Sequence, residues 1–286
     1  MRRRILLAVL PVLAVLAVLA LVLPAAASAW APAGPASVHP GVMTFTEGAQ
    51  CTSNFVFQDP GDPAAGTPAE VYLGQAAHCS GTGAATDTNG CDSESLPLGT
   101  PVEIDGASRP GTLVYNSWIT MQAKGEGDAN TCAYNDLALV RIDPADVPSV
   151  NPSVPGFGGP TGVGTVSSTG TTVYSYGNSS LRLGVTKLSP KRGVLIRNTG
   201  GGWSHDVYTF TPGIPGDSGS GFFTGTGEAF GVLSTVQLAP LAASNGVGDL
   251  AKELGYMRAN TSFSGVELVP GTESFNVDYI HAIEGA

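Results

Sequence analysis

The sequence predicts an all-β protein in two halves, and three observations carry that expectation. Charged residues make up only 13% of the chain while Gly alone numbers 39, and Ser, Thr and Val are plentiful. Such a composition suits short strands and many turns better than helices. Short apolar runs recur between Gly, Pro, Asn and Asp signals, the pattern of a barrel or sandwich. A stretch from Asp143 to Gly164 carries Pro144, Pro148, Pro152, Pro155 and Pro160. Proline lacks the ladder donor, so this stretch is no central strand, and residues 146–164 are read as the connection between the halves.

From the N-terminus, residues 1–29 read as an export signal. Arg2, Arg3 and Arg4 precede an apolar run from Ile5 to Leu23, and Ala27-Ser28-Ala29 has the small-x-small form of a cleavage site. The rival is an uncleaved membrane anchor, since the run approaches spanning length. Pro11 inside it and the small-residue site favour cleavage, which makes Trp30 the first mature residue of a secreted chain without stable membrane association. Residues 30–41, small and proline-rich, read as a mobile leader.

The first barrel is expected over 42–145, with strands at Asn54–Phe57, Val71–Leu73, Gly111–Tyr115 and Leu137–Ile142. A loop insertion from Gln58 to Thr67 precedes Val71. The second half, 165–286, has strands expected near Thr171–Tyr176, Gly193–Arg197, Asp206–Phe210, Gly221–Phe223 and Ala229–Thr235. One stretch has helical spacing: Leu250, Leu254 and Met257 share a face behind Asp249, which is placed to cap them.

Charge and cysteines narrow the function classes. The formal charge is −10, and losing the three signal arginines makes the mature chain more acidic still. That repels phosphate backbones and argues against a nucleic-acid partner. Cys51, Cys79, Cys91 and Cys132 all lie in the first half. Four cysteines allow three connectivities, among which sequence alone does not choose. No C-x-x-C or C-x-x-H spacing supports zinc, so no metal or other cofactor is expected.

Three short fragments carry chemistry: Ala76-Ala77-His78-Cys79, Asn135-Asp136-Leu137-Ala138-Leu139-Val140 and Gly216-Asp217-Ser218-Gly219-Ser220. A serine hydroxyl is a weak nucleophile until a base takes its proton, and that base works best when a carboxylate holds its tautomer. His78, Asp136 and Ser218 supply those groups in the order His, Asp, Ser. Each fragment alone has a plainer reading: a buried histidine, a turn aspartate leading a strand, a surface Gly-Asp-Ser-Gly turn. Together they are hard to explain that way. His205-Asp206 is another adjacent pair, but neighbours in a strand point to opposite faces, so it is read as structural.

In these fragments the chain resembles the chymotrypsin-like serine proteases, over roughly Val42 to Val236. The resemblance implies two packed six-stranded antiparallel β-barrels with a short helix near the C-terminus. It implies an oxyanion hole formed by the N–H groups of Gly216 and Ser218, and pairing Cys51–Cys79, leaving Cys91–Cys132. It also implies that Ser234 helps orient Asp136. Protein or peptide substrates and a monomeric secreted enzyme follow as expectations.

Departures from the family bear on specificity. Pro212 stands where an Asp selects basic side chains, and Leu233 where a His marks glutamate preference. The wall Ser234-Thr235-Val236 has a β-branched residue where Gly is common. Pro212, Ser234, Thr235 and Val236 thus imply a substrate with a small or medium apolar residue before the scissile bond. Ile214 occupies the position of a bracing cysteine, and Ser220-Gly221 replace the usual Gly-Pro. Asp217 is buried in the family and needs a cation. No Lys or Arg precedes Gly41-Val42 to release a new amino terminus, so Arg192 and Arg197 are the nearest candidates. Two other readings use the same fragments: a non-catalytic exported binding or adhesion module, and an esterase.

Overall fold

The computed structural model describes residues 30–62, 64, 69–84, 87–237 and 242–285. The export signal expected over 1–29 lies outside them. Fourteen strands are present among the described residues. Those of the first half are β1 (Met43–Thr46), β2 (Ala49–Thr52), β3 (Val56–Asp59), β4 (Glu70–Ala76), β5 (Pro101–Ile104), β6 (Gly111–Asn116) and β7 (Leu137–Arg141). The second half holds β8 (Thr172–Tyr176), β9 (Pro190–Thr199), β10 (Ser204–Thr209), β11 (Gly221–Thr224), β12 (Ala229–Gln237), β13 (Ser244–Asp249) and β14 (Glu267–Leu268).

Two antiparallel systems result. β8 to β13 close into a six-stranded barrel in the order β10-β13-β12-β11-β8-β9. The other is an eight-stranded sheet ordered β14-β3-β4-β7-β6-β5-β1-β2. Its eighth member comes from the C-terminal extension: Glu267 pairs with Gln58 and Leu268 with Phe57, so the chain end returns to the first half. One apolar core fills the first half around Val56, Leu73, Val102, Leu113 and Val140. A second fills the barrel around Val173, Leu195, Phe222, Phe230 and Val247. Between them, Phe55, Phe157, Tyr174, Phe223 and Phe275 pack together, with ring centroids 5.3 Å apart for Phe55–Phe223 and 5.4 Å for Phe223–Phe275.

Helices are more numerous than expected. The anticipated one, α3 (Leu250–Asn260), has Asp249 Oδ1 accepting the Lys252 N–H at 2.9 Å, and buries Leu250, Leu254 and Met257. Two others precede it, α1 (Ser117–Lys124) and α2 (Ala129–Tyr134), and α4 (Asp278–Glu284) follows. Asn116 Oδ1 caps α1 and Asp128 Oδ1 caps α2. Capping asparagine and aspartate read equally well as turn residues, which hides short helices of this kind.

The stretch 30–41, expected as a mobile leader, is instead tied down. Ala31 N–H donates to Val150 O at 2.9 Å, Asn151 N–H to Val38 O at 2.9 Å, and Val38 is fully buried. Its partner is the proline-rich connection, whose own Val150, Val154 and Phe157 are buried. β13 escaped notice because Ser-Asn-Gly-Val-Gly-Asp reads as a loop. Its glycines are required there: a Cβ on Gly246 would meet Thr235 Oγ1, and one on Gly248 would meet Glu253 Oε1.

Candidate active site

His78 sits in the turn that ends β4, and Asp136 immediately precedes β7, the strand paired with β4 from Ala76–Leu137 to Tyr72–Arg141. The pairing delivers both side chains to one end of the sheet. Asp136 is 3% exposed. Its Oδ1 accepts the backbone N–H of His78 at 2.9 Å, and its Oδ2 takes the Nδ1–H of the imidazole at 2.7 Å. Ser234, reaching across from β12, donates its hydroxyl to the same Oδ2 at 2.6 Å. A carboxylate accepts only, so the ring proton is assigned to Nδ1 and the Nε2 lone pair is left free. Burial pushes the imidazole pKa down, but the charge of Asp136 and its hydrogen bond outweigh that, and the net shift is upward from 6.5.

Ser218 lies opposite, in the turn between Ile214 and β11. Its carbonyl accepts the Thr52 N–H at 2.8 Å. His78, Ser218, Gly216, Gly213, Ile214, Leu233, Ser234, Thr235 and Val236 line one cleft of about 740 Å³ between the two halves. No hydrogen bond joins the Ser218 hydroxyl to His78 among the described residues, a looseness common before substrate is bound.

The turn itself is set by side chains. Gly216 has φ +95°, and a Cβ there would run into Gln50 Oε1. Ser179 Oγ donates to Pro215 O at 2.5 Å, while Gln50 Nε2 and Thr52 Oγ1 donate to Gly216 O at 2.9 and 2.7 Å. These bonds draw both carbonyls to the interior. The N–H groups of Asp217, Gly219 and Ser220 all reach backbone acceptors. Those of Gly216 and Ser218 reach none among the described residues, so two adjacent donors are left for something in the cleft.

Asp217, fully buried, corrects an expectation. Its partners are Arg182 and Lys191, not Arg192 and Arg197. Arg182 is bidentate, Nη1 to Oδ1 at 2.9 Å and Nη2 to Oδ2 at 2.7 Å, and Lys191 Nζ lies 3.1 Å from Oδ2. Arg192 instead pairs with Glu284 and stacks on Phe210, and Arg197 pairs with Asp206. Alternation along β9 separates Lys191 from Arg192, which are neighbours and face opposite sides of the sheet, and a register shift between Leu195 and Arg197 breaks the alternation before Arg197.

The remaining expected residues are placed as follows. Cys51–Cys79 and Cys91–Cys132 are disulfides. Cys51, His78 and Cys79 bring ligand-type atoms within 4.8 Å of one another, but both sulfurs are consumed by the disulfide. Pro212 lies outside the lining of the cleft, and its carbonyl accepts from Lys191 Nζ at 3.1 Å. Val236 does line the cleft, facing Gly213: a Cβ built on Gly213 would lie 3.4 Å from Val236 Cγ2. His205 joins Asn198 at 2.8 Å and Asp249 at 3.1 Å, away from the cleft.

Sequence reading missed Gln50, Thr52, Ser179, Arg182, Lys191 and Glu253. Glu253 of α3 is fully buried and accepts the Asp136 N–H through Oε1 at 3.0 Å. Burial raises its pKa well above 4.5; the Asp136 N–H opposes this, while the charges of Asp136 and Asp249 add to it. A charged residue at full burial on an otherwise apolar helix face is the one signal that was available, since α3 was foreseen.

No family model matches the chain, and no curated protein does. Among solved structures, Thermobifida fusca protease A is similar at 18% identity and TM-score 0.50, covering 82% of this chain and 99% of its own. Cellulomonas bogoriensis chymotrypsin stands at 16% identity and TM-score 0.45, covering 81% and 98%. The Nocardiopsis protease has 17% identity and TM-score 0.45, covering 81% and 98%. The closed barrel, the antiparallel sheet packed beside it, the cleft between them and the likeness to Thermobifida fusca protease A give this chain the chymotrypsin-like fold.

Proposed function

We propose that this protein is a secreted serine endopeptidase using His78, Asp136 and Ser218. The observation that carries the reading is the pair of unclaimed N–H groups at Gly216 and Ser218, beside an imidazole whose tautomer is held by a buried carboxylate. His78 Nε2 accepts the Ser218 proton as Oγ attacks the substrate carbonyl. The oxygen becomes negative and takes hydrogen bonds from Gly216 and Ser218, interactions that strengthen only as charge develops. Asp136 stabilises the imidazolium, which then donates its proton to the leaving amine. Water repeats the sequence on the acyl-enzyme.

The Gly213–Val236 approach supports a narrow primary pocket and hence a small or medium apolar residue before the scissile bond. Export is supported by the charged-apolar-small order of residues 1–29 and by two disulfides. No helix among the described residues is long and apolar enough to cross a membrane.

Labelling by a fluorophosphonate that is lost in Ser218→Ala, together with cleavage of a peptide library, tests the reading. An unlabelled folded chain would favour a binding module, and turnover confined to esters would favour an esterase. Val236→Gly should shift kcat/KM about tenfold toward Phe or Leu over Ala before the cut. A library preference for Arg, Lys or Glu would refute the narrow apolar pocket.

A further inference from the structure

Lys191 is the least expected group near the cleft. It is 1% exposed, it lies on β9 with its side chain inward, and the triad chemistry does not use it. Its ammonium has three protons and three acceptors: Thr211 O at 3.2 Å, Pro212 O at 3.1 Å and Asp217 Oδ2 at 3.1 Å. Those acceptors belong to the two ends of one segment. Thr211 and Pro212 lead into the cleft wall at Gly213 and Ile214, and Asp217 directly precedes Ser218. Ile214 leaves this wall without a disulfide. Asn245 Oδ1 accepts the Gly213 N–H at 3.0 Å and Asp217 Oδ2 the Ile214 N–H at 3.1 Å, and the lysine closes the loop that these bonds shape.

Charge tells the same story. Arg182 by itself satisfies Asp217 with two short bonds, so the pair is neutral without help. Lys191 adds a second buried cation and leaves one net positive charge directly behind the turn that presents Gly216 and Ser218. Burying an ammonium is costly and is not needed to neutralise Asp217.

We propose that Lys191 is a positioning residue of the oxyanion site: it ties the cleft wall to Asp217 and supplies a net positive charge behind the two N–H donors. The inference rests on the endopeptidase reading. In the ground state no anion faces that charge; in the tetrahedral state the developing oxyanion does. Lys191 therefore contributes to kcat far more than to substrate affinity.

A pH signature follows. Burial lowers the Lys191 pKa from 10.5 to about 8, with Asp217 opposing and Arg182 adding to the shift. Those two are the charged groups facing Nζ among the described residues. The unfolded chain keeps this proton up to the ordinary lysine range. Between about 8 and 10.5 the unfolded state therefore binds more protons, and this group makes stability rise with pH. Over the same window the native ammonium is lost, and kcat falls. Activity and stability move in opposite directions, which a merely structural lysine would not produce.

The experiment measures kcat, KM and thermal midpoint from pH 7 to 10.5 for the wild type and Lys191→Met, with affinity for a peptide boronate. The wild type should lose kcat with a midpoint near 8 while its thermal midpoint holds or rises. Lys191→Met should have kcat about 10-fold or more below wild type, KM within about threefold, boronate affinity reduced like kcat, and no alkaline limb. A folded Lys191→Met with wild-type kcat overturns the proposal, as does one in which only KM changes. Should the variant fail to fold, the wild type decides: kcat level to pH 10, or falling only together with the thermal midpoint, overturns it. A wild-type chain that takes no fluorophosphonate label rejects the endopeptidase reading itself, and the inference with it.

Discussion

Two buried aspartates flank the cleft, one from each half, and they are held in opposite ways. Among the described residues, Asp136 pairs with no Lys or Arg, and its ion-pair partner is the His78 imidazole. Its oxygens take a backbone N–H, the His78 ring and the Ser234 hydroxyl. Asp217 is gripped by a bidentate arginine and a lysine. Neutral donors fix a carboxylate without cancelling its charge, so Asp136 keeps its field for the imidazolium that the proposed mechanism forms at His78. Cations cancel the charge, so Asp217 serves as an anchor under the turn. In the proposed mechanism the base is supported by a bare negative charge and the oxyanion site by a spare positive one, in keeping with the sign of the charge each would stabilise.

The sharpest way to break the comparison is Asp136→Asn. The amide preserves shape but removes the charge and stabilises the wrong imidazole tautomer, and kcat should fall about 10⁴-fold, as in the family template, with folding intact. Active-site titration and calorimetry check it; a fall below about tenfold would mean Asp136 is only another anchor. Next in size is Arg182→Leu, which should cost about 2–3 kcal/mol in denaturant unfolding, because Asp217 loses its bidentate hydrogen bonds at full burial while Lys191 stays as its counter-charge. If that variant kept its stability but lost kcat, the anchor role would pass to Lys191 alone.

Ser234→Ala removes one donor to Asp136 Oδ2. A hydrogen bond to a charged group is worth about 1.5 kcal/mol or somewhat more, so kcat/KM should drop about tenfold. The acid limb sharpens this further. The His78 pKa is raised above 6.5, so activity rises with pH only above that value. The His78⁺–Asp136 pair contributes stability fully below 6.5, and that contribution is lost as pH rises through the elevated pKa. Strengthening of the same limb is not expected from Ser234→Ala. The smallest effect belongs to Glu253→Gln. Burial and the charges of Asp136 and Asp249 favour the neutral form of Glu253, and the isosteric amide keeps the acceptor for the Asp136 N–H. The acid limb should move by less than about 0.3 pH unit. A large downward move would mean that Glu253 carries a charge behind the triad.

His78, Asp136 and Ser218 stood out in the sequence because the proposed chemistry demands particular residue types inside short fragments, and the structure brings His78 and Ser218 to one cleft with Asp136 behind the imidazole. The asparagine capping α1 and the Gly-rich strand β13 were not, since each string fits a turn as well as an element. The leader was misread, and β14 was not located, for another reason: their partners lie far along the chain, and a proline-rich segment shows no sign of what it will pack against.

Local residue chemistry, written in the chain itself, determined the all-β class, the capped helix behind Asp249, and the choice of His78, Asp136 and Ser218 as the proposed base, carboxylate and nucleophile. Tertiary structure alone decided which cations reach Asp217. Lys191 and Arg192 differ by one position, and only the pairing of β9 with β8 and β10 settles which of them turns inward. A strand repeats every two residues, so burial is a property of register, and register is set by distant partners.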